Sequence, residues 1–209
     1  MRRIALIALP LLVATPLVAQ QMAKPGSKST AAITGGTYTV DSGHTLIGWR
    51  VDHMGFNDYF GIFGDSTGTL TLDPKKPNAA KVDITIPVSK VTTANAGLTA
   101  HLLRAGKDGG KPDFFGAAPA DAHFVSTMVM AKGMKAMIHG NLTLNGVTKP
   151  VILDAEFAGA GKALPMMGGK ENVGFHAKAN IKRSDFGVMM GIPIVSDNVA
   201  LDITVAFQK

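Results

Sequence analysis

The sequence predicts an all-β fold: one antiparallel sheet of about eight strands closed into a barrel, with one short helix or lid. Three observations lead there. Apolar residues recur with a period of two through most of the chain beyond residue 37. Turn signals such as Asp73-Pro74 and Asn145-Gly146 separate the patterned runs. The composition has 24 Gly and only 6% aromatic residues in 209, which suits tight turns and bent strands better than long helices. Two packed sheets would bury the same faces, but mostly short connections and long strands favour closure.

Residues 1–19 (MRRIALIALPLLVATPLVA) join a basic start to an apolar stretch broken by Pro10 and Pro16. That stretch is short of the ~20 residues a membrane span needs. It reads as a cleaved secretory signal peptide, and the mature chain is expected in the periplasm. Residues 20–36 are small and polar without a period, and read as a flexible tether. The barrel domain occupies residues 37–209.

Within it, Ile47, Trp49, Val51 and His53 share one face. Val82, Ile84, Ile86 and Val88 alternate with Lys81, Asp83 and Thr85. Ala136, Ile138, Gly140, Leu142 and Leu144 form the next apolar set, and Asn145-Gly146 turns it into Val147, Val151, Leu153, Ala155 and Phe157. The Gly-rich residues 159–169 read as a turn. Val173, Phe175, Ala177, Ala179 and Ile181 follow, then Val199, Leu201, Ile203, Val205 and Phe207. Residues 61–72 and 123–131 are weaker strands of the same kind. Residues 93–105 break the rule: Leu98, His101 and Leu102 fall near a 3.6 period and predict a short helix or lid.

The inward set is rich in Val, Ile, Ala and Gly and poor in large aromatics. Small side chains leave volume inside a barrel, and an apolar void suits an apolar ligand. The absence of Cys excludes disulfides, zinc ribbons, iron–sulfur clusters and thiol catalysis. None of the six His stands at a zinc-ligand spacing, so neither a metal nor another cofactor is expected. Neither a G-x-S-x-G elbow nor a phosphate-binding loop is present. Lys and Arg number 21 against 15 Asp and Glu; without Arg2 and Arg3 the excess falls to about +4. The basic residues are scattered, which predicts a solvated surface and no nucleic-acid partner.

Several motifs then line up in order. They are Tyr38-Thr39-Val40-Asp41-Ser42-Gly43-His44, Trp49-Arg50-Val51-Asp52-His53, Gly61-Ile62-Phe63-Gly64, Asp113-Phe114-Phe115 and His123-Phe124-Val125-Ser126. Gly140-Asn141-Leu142-Thr143-Leu144-Asn145-Gly146-Val147-Thr148-Lys149-Pro150 is the most specific, and Lys182-Arg183-Ser184-Asp185-Phe186-Gly187 closes the pattern. From about Tyr38 to Phe207 the chain resembles the YceI-like family. The resemblance implies a secreted, lipocalin-like barrel without established catalysis, binding a polyisoprenoid or other long-chain amphiphile in an elongated pocket. One departure is a longer Gly/Lys stretch at residues 104–111, which bears on the shape of the pocket mouth.

The candidate ligand-binding residues are Ile47, Trp49, Val51, His53, Phe63, Leu98, Leu102, Phe114, Phe115, Phe124, Met128, Met130 and Arg183. His53 reads either as a head-group contact or as a satisfied core histidine. Arg183 reads either as a pair with Asp185 closing the barrel end or as a reach toward a charged head group. Three functions follow: a periplasmic carrier or buffer of amphiphiles, a barrel enzyme using His53 as acid or base, and a ligand-free secreted factor. A homodimer through an exposed strand is a further expectation.

Overall fold

The computed structural model describes residues 23–209, so the leader read at residues 1–19 lies outside the described residues. In chain order the elements are β1 (Gly36–Val40), β2 (Leu46–His53), β3 (Asn57–Phe63), β4 (Thr67–Leu72), β5 (Lys81–Ile86) and β6 (Thr92–Thr93). They continue with α1 (Ala96–Leu102), β7 (Ala122–Lys132), β8 (Lys135–Leu144), β9 (Val147–Lys162), β10 (Glu171–Lys182) and β11 (Asn198–Gln208). Among the described residues no helix is long and apolar enough to cross a membrane.

The ring runs β1-β4-β5-β7-β8-β9-β10-β11 and closes where β1 pairs with β11, through Thr39↔Gln208 and Val40↔Phe207. Every pairing is antiparallel. Strands β2, β3 and β6 continue the sheet from β11. They prolong strands already in the ring: β1 runs into β2 through a turn at Ser42–His44, β3 runs into β4 across residues 64–66, and a turn at Val88–Lys90 separates β5 from β6. The wall is therefore eight long antiparallel strands, three of them kinked, as the alternation predicted. Closure removes the unpaired edges an open sheet would expose.

Local chemistry explains the connections. Asn145 and Gly146 both take positive φ (51° and 74°), the geometry of a two-residue hairpin turn that only such residues adopt cheaply. The predicted helix is α1; the side chain of Asn95 caps it by accepting from Leu98 N–H at 3.0 Å.

Two expectations fail for identifiable reasons. Residues 159–169 are not all turn, because β9 runs on to Lys162. Gly159 and Gly161 are there for close approach: a Cβ at Gly161 would lie 2.1 Å from the Pro25 carbonyl oxygen. The tether expected at residues 20–36 does not hang free from Ser27 onward. Ser27 and Ala160 exchange backbone hydrogen bonds of 3.0 and 2.9 Å, and Ile33 is buried against Tyr38, Phe157 and Phe207.

A buried carboxylate fixes that same corner. Glu171 accepts from Tyr38 Oη–H, from Thr34 N–H (2.8 Å) and from Thr34 Oγ1–H (2.8 Å), while Lys209 Nζ donates to Gly35 O at 2.6 Å. Burial alone would raise the Glu171 pKa. The hydrogen bonds from Tyr38 and Thr34, with the Lys209 charge, outweigh it and hold the carboxyl below its ordinary range.

Candidate functional site

The barrel is hollow. A cavity of about 480 Å³ runs along its interior, inside the ~300–1,000 Å³ range of small-molecule pockets. Its volume has a local cause. Ala136, Ala155 and Ala177 are direct cross-strand partners on β8, β9 and β10, and all three face the cavity. Three methyl groups side by side leave space that Leu or Phe would fill. Around them the wall is Val82, Ile84, Leu142, Val151, Leu153, Ile203 and Val205. Phe157, Phe175 and Phe207 form an edge-to-face row on one side, with ring centroids 5.8 and 6.3 Å apart.

The cavity opens at one end. Its exposed lining residues are Thr30, Pro74, Pro77, Gly133, Met134 and Lys135. These lie in the N-terminal segment, the β4–β5 connection and the β7–β8 hairpin, which antiparallel pairing brings to one rim. At the other end the lining residues Phe63, Ile86, Val88, Leu144 and Ile181 are buried or half-buried. Phe63 is backed there by Phe115, ring centroids 6.0 Å apart. Thr45 Oγ1 is used up locally, accepting from Ala206 N–H at 3.2 Å and donating to Ala206 O at 3.4 Å. The interior therefore offers dispersion and exclusion of water, its one deep hydroxyl (Thr45) already bonded and its other polar lining groups, Thr30 and Lys135, at the rim: a site for an apolar tail with its polar end outward.

Of the residues singled out from sequence, Ile47, Phe63 and Phe124 line the cavity. Phe124 reaches inward because Gly140 lies under its ring; a Cβ there would come within 2.3 Å of Phe124 Cζ. Met128 and Met130 instead face solvent, each 49% exposed. A bulge between Ser126 and Met128 reverses the alternation, so Val129 and Ala131 point inward in their place. Trp49 lies across Gly61 on β3, not on the cavity wall, with Nε1 buried and without a hydrogen-bond partner among the described residues. Val51 and His53 are carried past the cavity on the β2–β3 hairpin; His53 is exposed and makes a backbone bridge with Val195.

Leu98, Leu102, Phe114 and Phe115 do not line the cavity; they belong to the segment between β6 and β7 at the floor end, where Phe115 packs on Phe63, its N–H donates to Leu102 O at 3.0 Å, and Phe114 packs on His101. There His101 Nε2 lies 2.8 Å from Asp113 Oδ2, and Arg104 donates to the same oxygen at 2.9 Å. Those bonds from His101 and Arg104 hold the Asp113 carboxyl below its ordinary range. Residues 104–111 follow α1 on this side, so they lie at the end opposite the mouth.

Arg183 is neither paired with Asp185 nor aimed at a ligand. It is buried, and its guanidinium donates to the carbonyls of Ser196 (2.9 Å), Val188 (3.1 Å), Met190 (2.8 Å) and Val195 (2.9 Å). The carboxylate nearby is Asp197, which accepts from Ser184 N–H and Oγ–H at 2.8 and 2.7 Å. Arg183 thus ties the β10–β11 connection into a floor.

Comparison with known proteins agrees with this geometry. The YceI-like domain profile matches residues 38–207. Protein YceI of Salmonella enteritidis is 37% identical over 180 residues, 85% of this chain and 89% of the relative. The crystal structure of the Campylobacter jejuni YCEI protein superposes with a TM-score of 0.60 at 32% identity, covering 76% of this chain and 89% of that one. A polyisoprenoid binding domain from Saccharophagus degradans shares the fold, with a TM-score of 0.54 at 12% identity over 82% of this chain and 97% of its own. A closed barrel around an apolar cavity, an ordered run of motifs and this extent of identity lead to one conclusion: the chain belongs to the YceI-like family.

Proposed function

We propose that this protein binds one long-chain amphiphile, a polyisoprenoid or a fatty-acyl lipid, and carries or buffers it in the periplasm without transforming it. The observation that carries the reading is the cavity: lined almost entirely by apolar side chains, open at one end, and about 480 Å³ in volume. Burial of a chain is worth ~0.8 kcal/mol per methylene, less the entropy of ordering it, so such a site binds firmly without catalysis. The polyisoprenoid-binding function of the Saccharophagus degradans domain, which has the same fold, supports the ligand class. The apolar start of residues 1–19 supports export. A reading with His53 as acid or base has little support, since His53 does not line the cavity and makes no side-chain hydrogen bond among the described residues.

The test is solvent extraction of the purified protein with mass spectrometry, paired with uptake of added polyprenyl and fatty-acyl probes. An amphiphile in the extract, or saturable uptake of a probe, is expected. Ala155→Phe, which puts a ring into the gap between Ala136 and Ala177, is expected to weaken uptake at least about tenfold with the fold retained. Absence of both cargo and uptake, or an Ala155→Phe variant that binds as before, would overturn the reading.

A further inference from the structure

The two ends of the barrel differ in charge. Lys75 and Lys76 sit in the β4–β5 connection, Lys132 and Lys135 flank the β7–β8 turn, and Lys162 and Lys170 flank the β9–β10 turn. In an up-and-down antiparallel ring these three connections share the end where the cavity opens. All six lysines are exposed, and none is in an ion pair among the described residues. Acidic groups on this rim are few and engaged: Asp73 Oδ1 accepts from Lys75 N–H at 2.9 Å, Glu156 lies 3.6 Å from Lys28, and Glu171 is buried. At the floor, by contrast, Arg50 pairs with Asp58 (3.2 Å), Lys90 with Asp65 (3.5 Å) and Arg104 with Asp113 (2.9 Å), and Lys107, Lys111, Lys149 and Lys182, which make no ion pair among the described residues, share that end with Asp52, Asp108, Asp121 and Asp185.

The same rim carries apolar tips. Met166 and Met167 cap the β9–β10 turn at 85% and 67% exposure, and Met134 projects from the β7–β8 turn at 45%. Flexible apolar side chains inside a ring of unpaired lysines match the chemistry of an anionic bilayer: the ammonium groups meet phosphates and the thioethers enter the acyl boundary.

We propose that the protein docks mouth-down on an anionic lipid bilayer, so that an amphiphile passes between membrane and cavity without crossing water. The transfer rests on the amphiphile-binding reading above; the docking does not. Exposed apolar side chains also occur at the floor, Phe56 and Phe60 among them, but Arg50, the cross-strand neighbour of Phe60, is paired with Asp58. The orientation is therefore the part to test.

The experiment is vesicle flotation of the purified chain with phosphatidylcholine alone and with about 30% phosphatidylglycerol added. Binding is expected to the anionic vesicles only, and to fall at least about tenfold as salt rises from about 0.05 to about 0.5 M. The variant K75E/K76E/K162E/K170E, which spares the cavity lining, is expected to bind at least tenfold more weakly. The variant K107E/K111E/K149E/K182E makes the same charge change at the floor and is expected to stay within about twofold of the parent. Met166→Ser with Met167→Ser is expected to weaken docking while leaving its salt dependence. Equal loss in both lysine variants, greater loss in the floor variant, or no flotation would overturn the proposal. Probe uptake in vesicle-free solution is measured on the same proteins. Docking with no uptake overturns amphiphile binding alone, and uptake with no docking overturns docking alone.

Discussion

Arg183, at the floor of the barrel, commits four of its five N–H donors to backbone carbonyls, whereas the six lysines round the mouth are unpaired among the described residues. Both ends are built from connections between the same strands, yet one is knitted shut and the other left available. Polar satisfaction, more than hydrophobic content, separates them. Apolar side chains are exposed at both ends; at the floor the buried Arg183 anchors a whole connection through four carbonyls, whereas at the mouth the buried Glu171 ties down only the N-terminal corner. A closed sheet needs one sealed end to hold a cavity and one unsealed end to fill it.

The largest expected effect lies at the floor. Arg183→Met orphans four carbonyls in a buried setting and is expected to cost about 3 kcal/mol in urea unfolding. A loss below about 0.5 kcal/mol would show that the β10–β11 connection holds itself and would blunt the contrast.

At the mouth-side corner, Glu171→Gln keeps the shape but removes the charge that Tyr38 and Thr34 solvate, with an expected cost of about 2 kcal/mol at neutral pH. The pH dependence has a definite sign. Because the folded carboxyl titrates below its unfolded value of about 4.3, its stabilisation is complete above that value and is lost as pH falls through the folded pKa. Urea midpoints measured from pH 6 down to about 3 should therefore fall more steeply for the parent than for Glu171→Gln; parallel curves would remove Glu171 from the account.

The smallest effect tests a connection at the floor set by backbone geometry and one side-chain bond, from Asn145 Nδ2–H to Phe186 O at 3.3 Å. Gly146→Ala places a Cβ at φ 74° and is expected to cost about 1 kcal/mol by the same assay. A stabilised variant would mean the turn has another conformation available.

Legibility followed the same division. The inward faces of β8, β10 and β11 could be read from the sequence because alternation is uninterrupted there and one face must be buried. Met128 and Met130 were misplaced because a one-residue bulge costs nothing in composition yet flips every side chain beyond it. Gly159 and Gly161 read as a turn because glycine marks both bends and close approaches, and only the packed Pro25–Ser27 backbone separates the two. Arg183 was expected to find a carboxylate; its actual partners are carbonyls, which every residue carries and no sequence distinguishes. Which end opens was not legible either. It depends on which loops fold back over the ring, and the apolar residues 98, 102, 114 and 115 mark the end that is covered.

Trp49 is the single tryptophan of the chain, and it sits at the floor, its indole N–H enclosed without an acceptor among the described residues, beside Gly61 and opposite the cavity-lining Leu201. Nature has in effect left a fluorophore at the bottom of the well. A tail long enough to press on Leu201 should shift the indole emission while a shorter homologue leaves it unmoved, so a series of graded chain lengths would turn that one ring into a depth gauge.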